Sequence, residues 1–166
     1  MLPLIIVVTA FAVLRVTGAA GVRPLRNWRT CLRWALALMF LVTASGHWGS
    51  RRADLIAMVP PALPSPELLV TLTGILEIAG AAGLMIPRTS RLAAACLAVM
   101  LVAMFPANIY AARQGLSIGG RPVTAPPLRT VVQIGLVLAS AAVAATDREG
   151  RVTFARQPDW AVRTDE

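Results

Sequence analysis

The stretch PELLVTLTGILEIAGAAGLMIP, residues 66–87, decides the fold of this chain. It begins with a proline and an acidic residue, which both suit the first turn of a helix, and it ends at Pro87. Between these limits the one strongly polar side chain is Glu77. About 20 apolar residues are long enough to cross the hydrocarbon core of a bilayer as a helix. The stretch therefore predicts a transmembrane helix.

Four other stretches of similar length and character lie at residues 2–21, 30–49, 91–112 and 126–146. Only helices and closed β-barrels satisfy their backbone hydrogen bonds in hydrocarbon, and these stretches lack the alternation of a barrel strand. The chain is 57% hydrophobic and 14% charged, whereas a soluble domain carries roughly 25% charged residues. The sequence therefore predicts an all-α integral membrane protein.

The basic residues are all arginines, and the formal net charge is +8. Nearly all of them flank the apolar stretches, where topology-setting and lipid-headgroup charges belong, so membrane anchoring is favoured over nucleic-acid binding. With five spanning helices, one side carries ten arginines and the other five. The richer side is expected in the cytoplasm, which places the N-terminus outside and the C-terminus inside.

These patterns divide the chain into residues 1–24, a retained N-terminal transmembrane helix, 25–146, a four-helix transmembrane domain, and 147–166, a polar cytoplasmic tail. The outer loop at about 50–65 contains most of the run MVPPALPSP, whose prolines forbid a regular helix. We expect it to form a stiff apolar flap over the mouth of the helices. The second outer loop, about 113–125, contains GLSIGGRP and predicts a hairpin or a loose turn.

Inward of the charged residues near their ends, four of the apolar stretches carry one strongly polar side chain each, namely His47, Glu77, Asn108 and Gln133. Polar groups are costly in lipid, so they normally face the interior of a helix bundle and often mark a functional site. The helical rise places three of them about 6–8 Å below the outer helix ends, and Glu77 about 15 Å down. This arrangement predicts a polar pocket that opens outward beneath the proline flap.

Two more side chains join the predicted pocket, because residues four apart share a helix face. Arg129 stands four residues before Gln133, and Thr73 stands four residues before Glu77. A carboxylate near the midplane must be paired with a cation, such as Arg129, His47 or Arg15 of the first helix, or be protonated. A purely structural alternative stays open, in which the two amide side chains are interhelical hydrogen bonds.

The sequence offers little for metal or redox chemistry. The chain has one histidine, and Cys31 and Cys96 form no CxxC motif, so no metal site is expected. The two cysteines are interpreted either as small packing residues or as a redox pair near the inner helix ends.

Five segments together resemble the DoxX family of small bacterial membrane proteins. The matching pieces are Gly46-His47, MVPPALPSP at 58–66, TGILEIAGAAGLMIP at 73–87, FPANIYAA at 105–112 and PLRTVVQ at 127–133. The resemblance covers residues 30–146 and implies an antiparallel four-helix bundle in the bacterial cytoplasmic (inner) membrane. The first helix and the tail are additions to that core.

The resemblance also implies an association with redox biology, since relatives resemble the membrane subunit of a thiosulfate:quinone oxidoreductase or partners of thiol-stress enzymes. Three functions follow as alternatives: a quinone-linked membrane subunit of an oxidoreductase system, a module that binds or transports a lipid or small apolar molecule, and a structural assembly partner. A bound quinone is the cofactor that the first would need. Membrane lipids, a protein partner in a redox complex and a second copy of the chain are the expected partners. The sequence assigns no reaction.

Overall fold

The computed structural model describes residues 2–122 and 125–146, and the predicted tail at 147–166 lies outside the described residues. Six α-helices follow one another: α1 Leu2–Ala19, α2 Trp28–Ala44, α3 Arg52–Ala57, α4 Pro66–Met85, α5 Ser90–Arg113 and α6 Pro126–Thr146. Short 3₁₀ turns at Arg23–Arg26 and Ser45–His47 precede and follow α2. The prediction of an all-α chain is confirmed for this part of the molecule.

Four of these helices, α1, α4, α5 and α6, are long and apolar enough to cross a membrane. The remaining predicted span, residues 30–49, corresponds to the 17-residue helix α2. This helix begins two residues earlier than expected and ends at Ala44, five residues short of the predicted end. Seventeen residues span about 26 Å, slightly less than the hydrocarbon core. The 3₁₀ turn at Ser45–His47 continues the path of α2.

The two loops predicted on the outer side contain a short helix and a small β-hairpin. The prolines at 60, 61 and 64 lie outside any helix, as expected, but the short helix α3 precedes them. Between α5 and α6, strands β1 Ser117–Ile118 and β2 Arg121–Pro122 pair antiparallel as a small hairpin. The Gly119 amide donates to Asp54 Oδ2 at 2.7 Å, which fastens this hairpin to α3.

Side-chain contacts with backbone carbonyls show which helix ends lie together. Arg33, near the start of α2, donates to the carbonyl of Leu84 at 3.0 Å, at the end of α4. Arg91, at the start of α5, donates to the carbonyl of Ala144 at 3.1 Å, at the end of α6. We call this end, with the loops at 20–27 and 86–89, the arginine-rich end. The ends of α2 and α5 and the starts of α4 and α6 form the opposite end, where Arg52 donates to Thr71 Oγ1 at 2.9 Å.

The helices pack in the order α1, α2, α4, α5 and α6, with α6 also touching α2 and α1. Apolar side chains fill the space between them, among them Leu36 and Phe40 of α2 and Leu97 of α5, each at most 2% exposed. Close approach of α4 to α5 depends on Gly80 and Gly83. A Cβ at Gly80 would lie 2.5 Å from Leu97 Cδ2, and one at Gly83 2.7 Å from Ala93 Cβ. The two helices therefore touch near the arginine-rich end.

Candidate functional site

A cavity of about 580 Å³ lies between α4 and α5, nearer the opposite end of the molecule. Its α5 wall includes Ala95, Ala103 and Ala107. These small side chains leave space between the two helices, away from the close contacts at Gly80 and Gly83. A volume of this size is typical of a site for a small organic ligand.

The lining of the cavity is almost wholly apolar. Its α4 wall includes Leu69 and Leu76, and its α5 wall includes Val99 and Met104. The loop that the sequence predicts as a proline flap contributes Leu55, Met58, Val59 and Leu63. Met58 is buried, whereas Leu63 is 45% exposed. The flap therefore forms part of the cavity wall and also faces the surroundings.

Three lining residues carry polar atoms: His47, Thr73 and Cys96. The Thr73 hydroxyl lies within hydrogen-bond distance of two carbonyls of its own helix, Leu69 at 2.9 Å and Val70 at 3.0 Å. The imidazole of His47 is therefore the side chain best able to bind the polar part of a ligand.

His47 belongs to a small polar group between α2 and α4. Its Nδ1 lies 3.9 Å from Glu77 Oε2, and the Thr43 hydroxyl donates to the same carboxylate oxygen at 3.0 Å. His47 is 4% exposed and Glu77 is 5% exposed. Of the partners that the sequence allowed for Glu77, the structure places His47 beside it. Arg15 donates elsewhere, to the carbonyl of Arg26 at 2.7 Å.

The orientation of the His47 ring follows from its backbone contacts. Nδ1 lies 3.3 Å from the Ala44 carbonyl. A carbonyl can only accept, so Nδ1 carries the proton in this contact, and in the neutral ring Nε2 is an acceptor. The backbone of Thr43 is the other hydrogen-bonding neighbour of the ring, and none of the side chains in the described ranges hydrogen-bonds Nε2. Arg52 also fixes the backbone of this residue, because its Nη1 donates to the His47 carbonyl at 2.8 Å.

The remaining predicted residues form a second group between α5 and α6. Asn108 Nδ2 donates to Gln133 Oε1 at 3.3 Å, and Gln133 Nε2 donates to the carbonyl of Leu101. Arg129 Nη1 donates to the carbonyl of Asn108 at 3.4 Å. Each contact joins α6 to α5. These three residues do not line the cavity between α4 and α5.

The six predicted residues thus occupy two places. His47, Glu77 and Thr73 lie on the side of α4, and hydrogen bonds of the described chain do not link them to Asn108, Gln133 or Arg129.

The sequence analysis did not identify two residues near His47, Glu77 and the cavity. Thr43 contacts Glu77, and Cys96 is exposed on the cavity wall, whereas Cys31 is buried. Both cysteines are free. A signal for the cavity was present in the spacing of Ala95, Ala103 and Ala107, which fall at multiples of four along one helix face.

Residues 36–144 match the model of a protein family described as "Domain of unknown function (DUF8561)". The chain belongs to this family. The DUF8561 match begins inside α2, ends near the end of α6 and includes both polar groups and the cavity, while α1 lies outside it. No curated protein and no solved structure matches the chain.

Proposed function

We propose that this DUF8561 chain is a multi-pass membrane protein whose α2, α4, α5 and α6 form an antiparallel four-helix bundle, with α1 beside α2. Large apolar side chains on its outside support insertion. Leu92 is 70% exposed, Val16 is 69% exposed and Leu138 is 63% exposed. Water would oppose so large an apolar surface, whereas lipid accommodates it. By the positive-inside rule, the arginine-rich end lies in the cytoplasm.

We propose further that the cavity between α4 and α5 binds a small apolar molecule taken from the membrane. The observation that carries this proposal is an apolar cavity of about 580 Å³ with a buried imidazole on its wall. The apolar lining fits the body of the ligand. The imidazole fixes its polar head, as isolated polar groups do in other ligand pockets.

The hydrogen bonding of His47 limits which polar groups the ligand can present to it. Because Nδ1 donates to Ala44, the neutral ring offers only an acceptor at Nε2. A ligand hydroxyl is the matching donor, and a membrane hydroquinone combines an apolar body with such a hydroxyl. If the ring is protonated, Nε2 becomes a donor that suits a quinone carbonyl, and Glu77 at 3.9 Å stabilises the charge.

A quinol or quinone is therefore the ligand class we favour, in line with the resemblance to the DoxX family. A role as the quinone-linked membrane subunit of a redox system belongs to the same proposal, and a partner protein would then supply or accept the electrons. For Asn108, Gln133 and Arg129 we propose a structural role, because their hydrogen bonds join α5 to α6.

The test compares the ligands retained by the mildly solubilised wild-type protein and by two variants, using mass spectrometry. Ala103→Phe adds a ring on the cavity wall, whereas Val102→Phe adds the same ring at a position of α5 that does not line the cavity and is 57% exposed. We expect one quinone or quinol per chain in wild type and in Val102→Phe, and little in Ala103→Phe.

A titration with a short-chain benzoquinol and its dimethyl ether then examines the head group. The ether lacks the hydroxyl donor, so it should bind wild type more weakly than the quinol does. On His47→Ala the ether and the quinol should bind equally well. Retention of one lipid species instead of a quinone would keep the binding site but change the ligand class. If wild type and Ala103→Phe retain the same molecules, the cavity is not a ligand site.

A further inference from the structure

A second cavity, of about 330 Å³, forms a groove along α1 and α2. Val13 of α1, Trp34 and Leu38 of α2, and Met85 at the end of α4 all line it. These four side chains are between 42% and 58% exposed. The groove is therefore open to the surroundings, and its walls are apolar.

The groove reaches the arginine-rich end of the molecule. Arg33 Nη2 donates to the carbonyl of Met85, a groove residue, at 3.3 Å. Arg15 directly follows the groove residue Leu14 in the chain, and Arg88 comes three residues after Met85; both arginines are exposed. Exposed arginines thus follow the groove residues of α1 and of α4 closely in the chain.

One arginine at this end has an unmet donor. The Nε of Arg29 is buried and has no hydrogen-bond partner among the described residues, and its Cζ lies 5.7 Å from the centre of the Trp28 ring. A buried donor without an acceptor is costly. The acidic residues of the described ranges are Asp54, Glu67 and Glu77, and none lies at this end. Within the described ranges, no acidic side chain therefore balances the positive charge at this end.

We propose that the groove binds one acidic phospholipid, with an acyl chain against Val13, Trp34 and Leu38 and the phosphate near Arg15 and Arg88. An acyl chain matches the apolar walls, and an anionic headgroup matches the arginines, which attract acidic lipids at a membrane surface. Trp34 combines an apolar ring with a polar N–H, as side chains at the headgroup level commonly do. The proposal rests on the membrane insertion proposed above, but not on any ligand in the cavity between α4 and α5.

The experiment is native mass spectrometry of the full-length protein, delipidated and then titrated with dioleoylphosphatidylglycerol or dioleoylphosphatidylcholine. We expect one phosphatidylglycerol per chain to bind more tightly than phosphatidylcholine. Arg88→Gln should weaken phosphatidylglycerol binding about fivefold, the usual effect of one basic side chain at an anionic surface. Arg113→Gln, which removes an exposed arginine from the opposite end, should leave it unchanged.

A second pair of variants examines the acyl chain. Val13→Trp narrows the groove, and Val8→Trp places the same side chain on α1 outside it; both valines are 58% exposed. Only Val13→Trp should lose phosphatidylglycerol. If Val13→Trp loses its helical circular-dichroism signal, Leu38→Trp replaces it, because Leu38 lines the same groove.

Three results would overturn the proposal. The first is equal binding of the two lipids, the second is equal loss in Arg88→Gln and Arg113→Gln, and the third is unchanged binding in the groove variants. A dimer mass without retained lipid would show that a second copy of the chain covers the groove instead. Because the cavity variants Ala103→Phe and Val102→Phe leave this groove intact, failure here and failure of the quinone proposal are separable.

Discussion

Replacing Gly74 by alanine should displace His47 and destabilise the protein. Gly74 is a buried residue of α4, and a Cβ added there would lie 2.7 Å from His47 Cβ and 2.8 Å from its Cγ. It would also lie 2.8 Å from Trp48 Cη2. The tryptophan tip belongs to a side chain that is 49% exposed and can swing aside. The His47 Cβ is attached to the backbone, so the turn at Ser45–His47 must move with it.

The size of the effect follows from the contact distances. Ordinary contact begins at 3.4 Å, so His47 Cβ must retreat from 2.7 Å by about 0.7 Å or more. Overpacking of this kind costs about 1–3 kcal/mol. Alanine also favours the helix by roughly 1 kcal/mol relative to glycine. The control is Gly135→Ala, which gains the same helix preference but places its Cβ 4.0 Å from the nearest atom, Leu4 Cδ1.

We therefore expect the free energy of unfolding of Gly74→Ala to be about 1–3 kcal/mol below that of Gly135→Ala. Chemical unfolding in a mild detergent, followed by circular dichroism, measures the difference. Benzoquinol binding should fall as well, by up to the 0.5–1.5 kcal/mol of one hydrogen bond, because the imidazole has moved. Equal stability of the two variants, with unchanged quinol binding, would refute the close approach of α4 to His47.

Three other substitutions test separate contacts. Gln133→Leu removes the hydrogen bond to the Leu101 carbonyl and should lower the free energy of unfolding by about 0.6–1.7 kcal/mol; lost quinol binding with unchanged stability would contradict its structural role. Arg33→Met leaves two carbonyls at the end of α4 without their donor, and should cost about 1.5–3 kcal/mol in the same unfolding assay. Little or no loss would mean that Arg33 does not stabilise this helix end. Asp54→Ala removes the acceptor of the Gly119 amide, so hydrogen exchange at Gly119 should become faster while exchange in the long helices stays the same; unchanged exchange at Gly119 would argue against the contact.

The helices were largely predictable because their cause is local. The run at 66–87 gives α4 at Pro66–Met85, and the run at 126–146 gives α6 at Pro126–Thr146. Apolar length together with proline at the start fixes such elements without tertiary information. The end of α2 at Ala44 was not predictable in this way, because the contacts around it come from Arg52 and from α4.

The sequence predicts a depth for each polar residue, but not the direction in which its side chain points. The helical rise gives the level of a residue along its axis and says nothing of how the helix is rotated about that axis. His47 and Gln133 were expected at the same level, yet His47 lies beside Glu77 of α4 and Gln133 lies beside Asn108 of α5. Which neighbour each side chain meets depends on the packing of all the helices, and the sequence pattern of one helix does not contain it.

The end of α2 has a chemical consequence for the site. If the α-helix continued beyond Ala44, the carbonyl of that residue would be directed along the helix at the amide four residues on. Instead the chain tightens into a 3₁₀ turn, and His47 Nδ1 lies 3.3 Å from this carbonyl. The same contact that orients the ring also assigns its proton, and so makes Nε2 the acceptor. For the ligand proposed above, the backbone turn rather than Glu77 alone is therefore the reason to expect that a neutral His47 prefers a hydroxyl to a carbonyl.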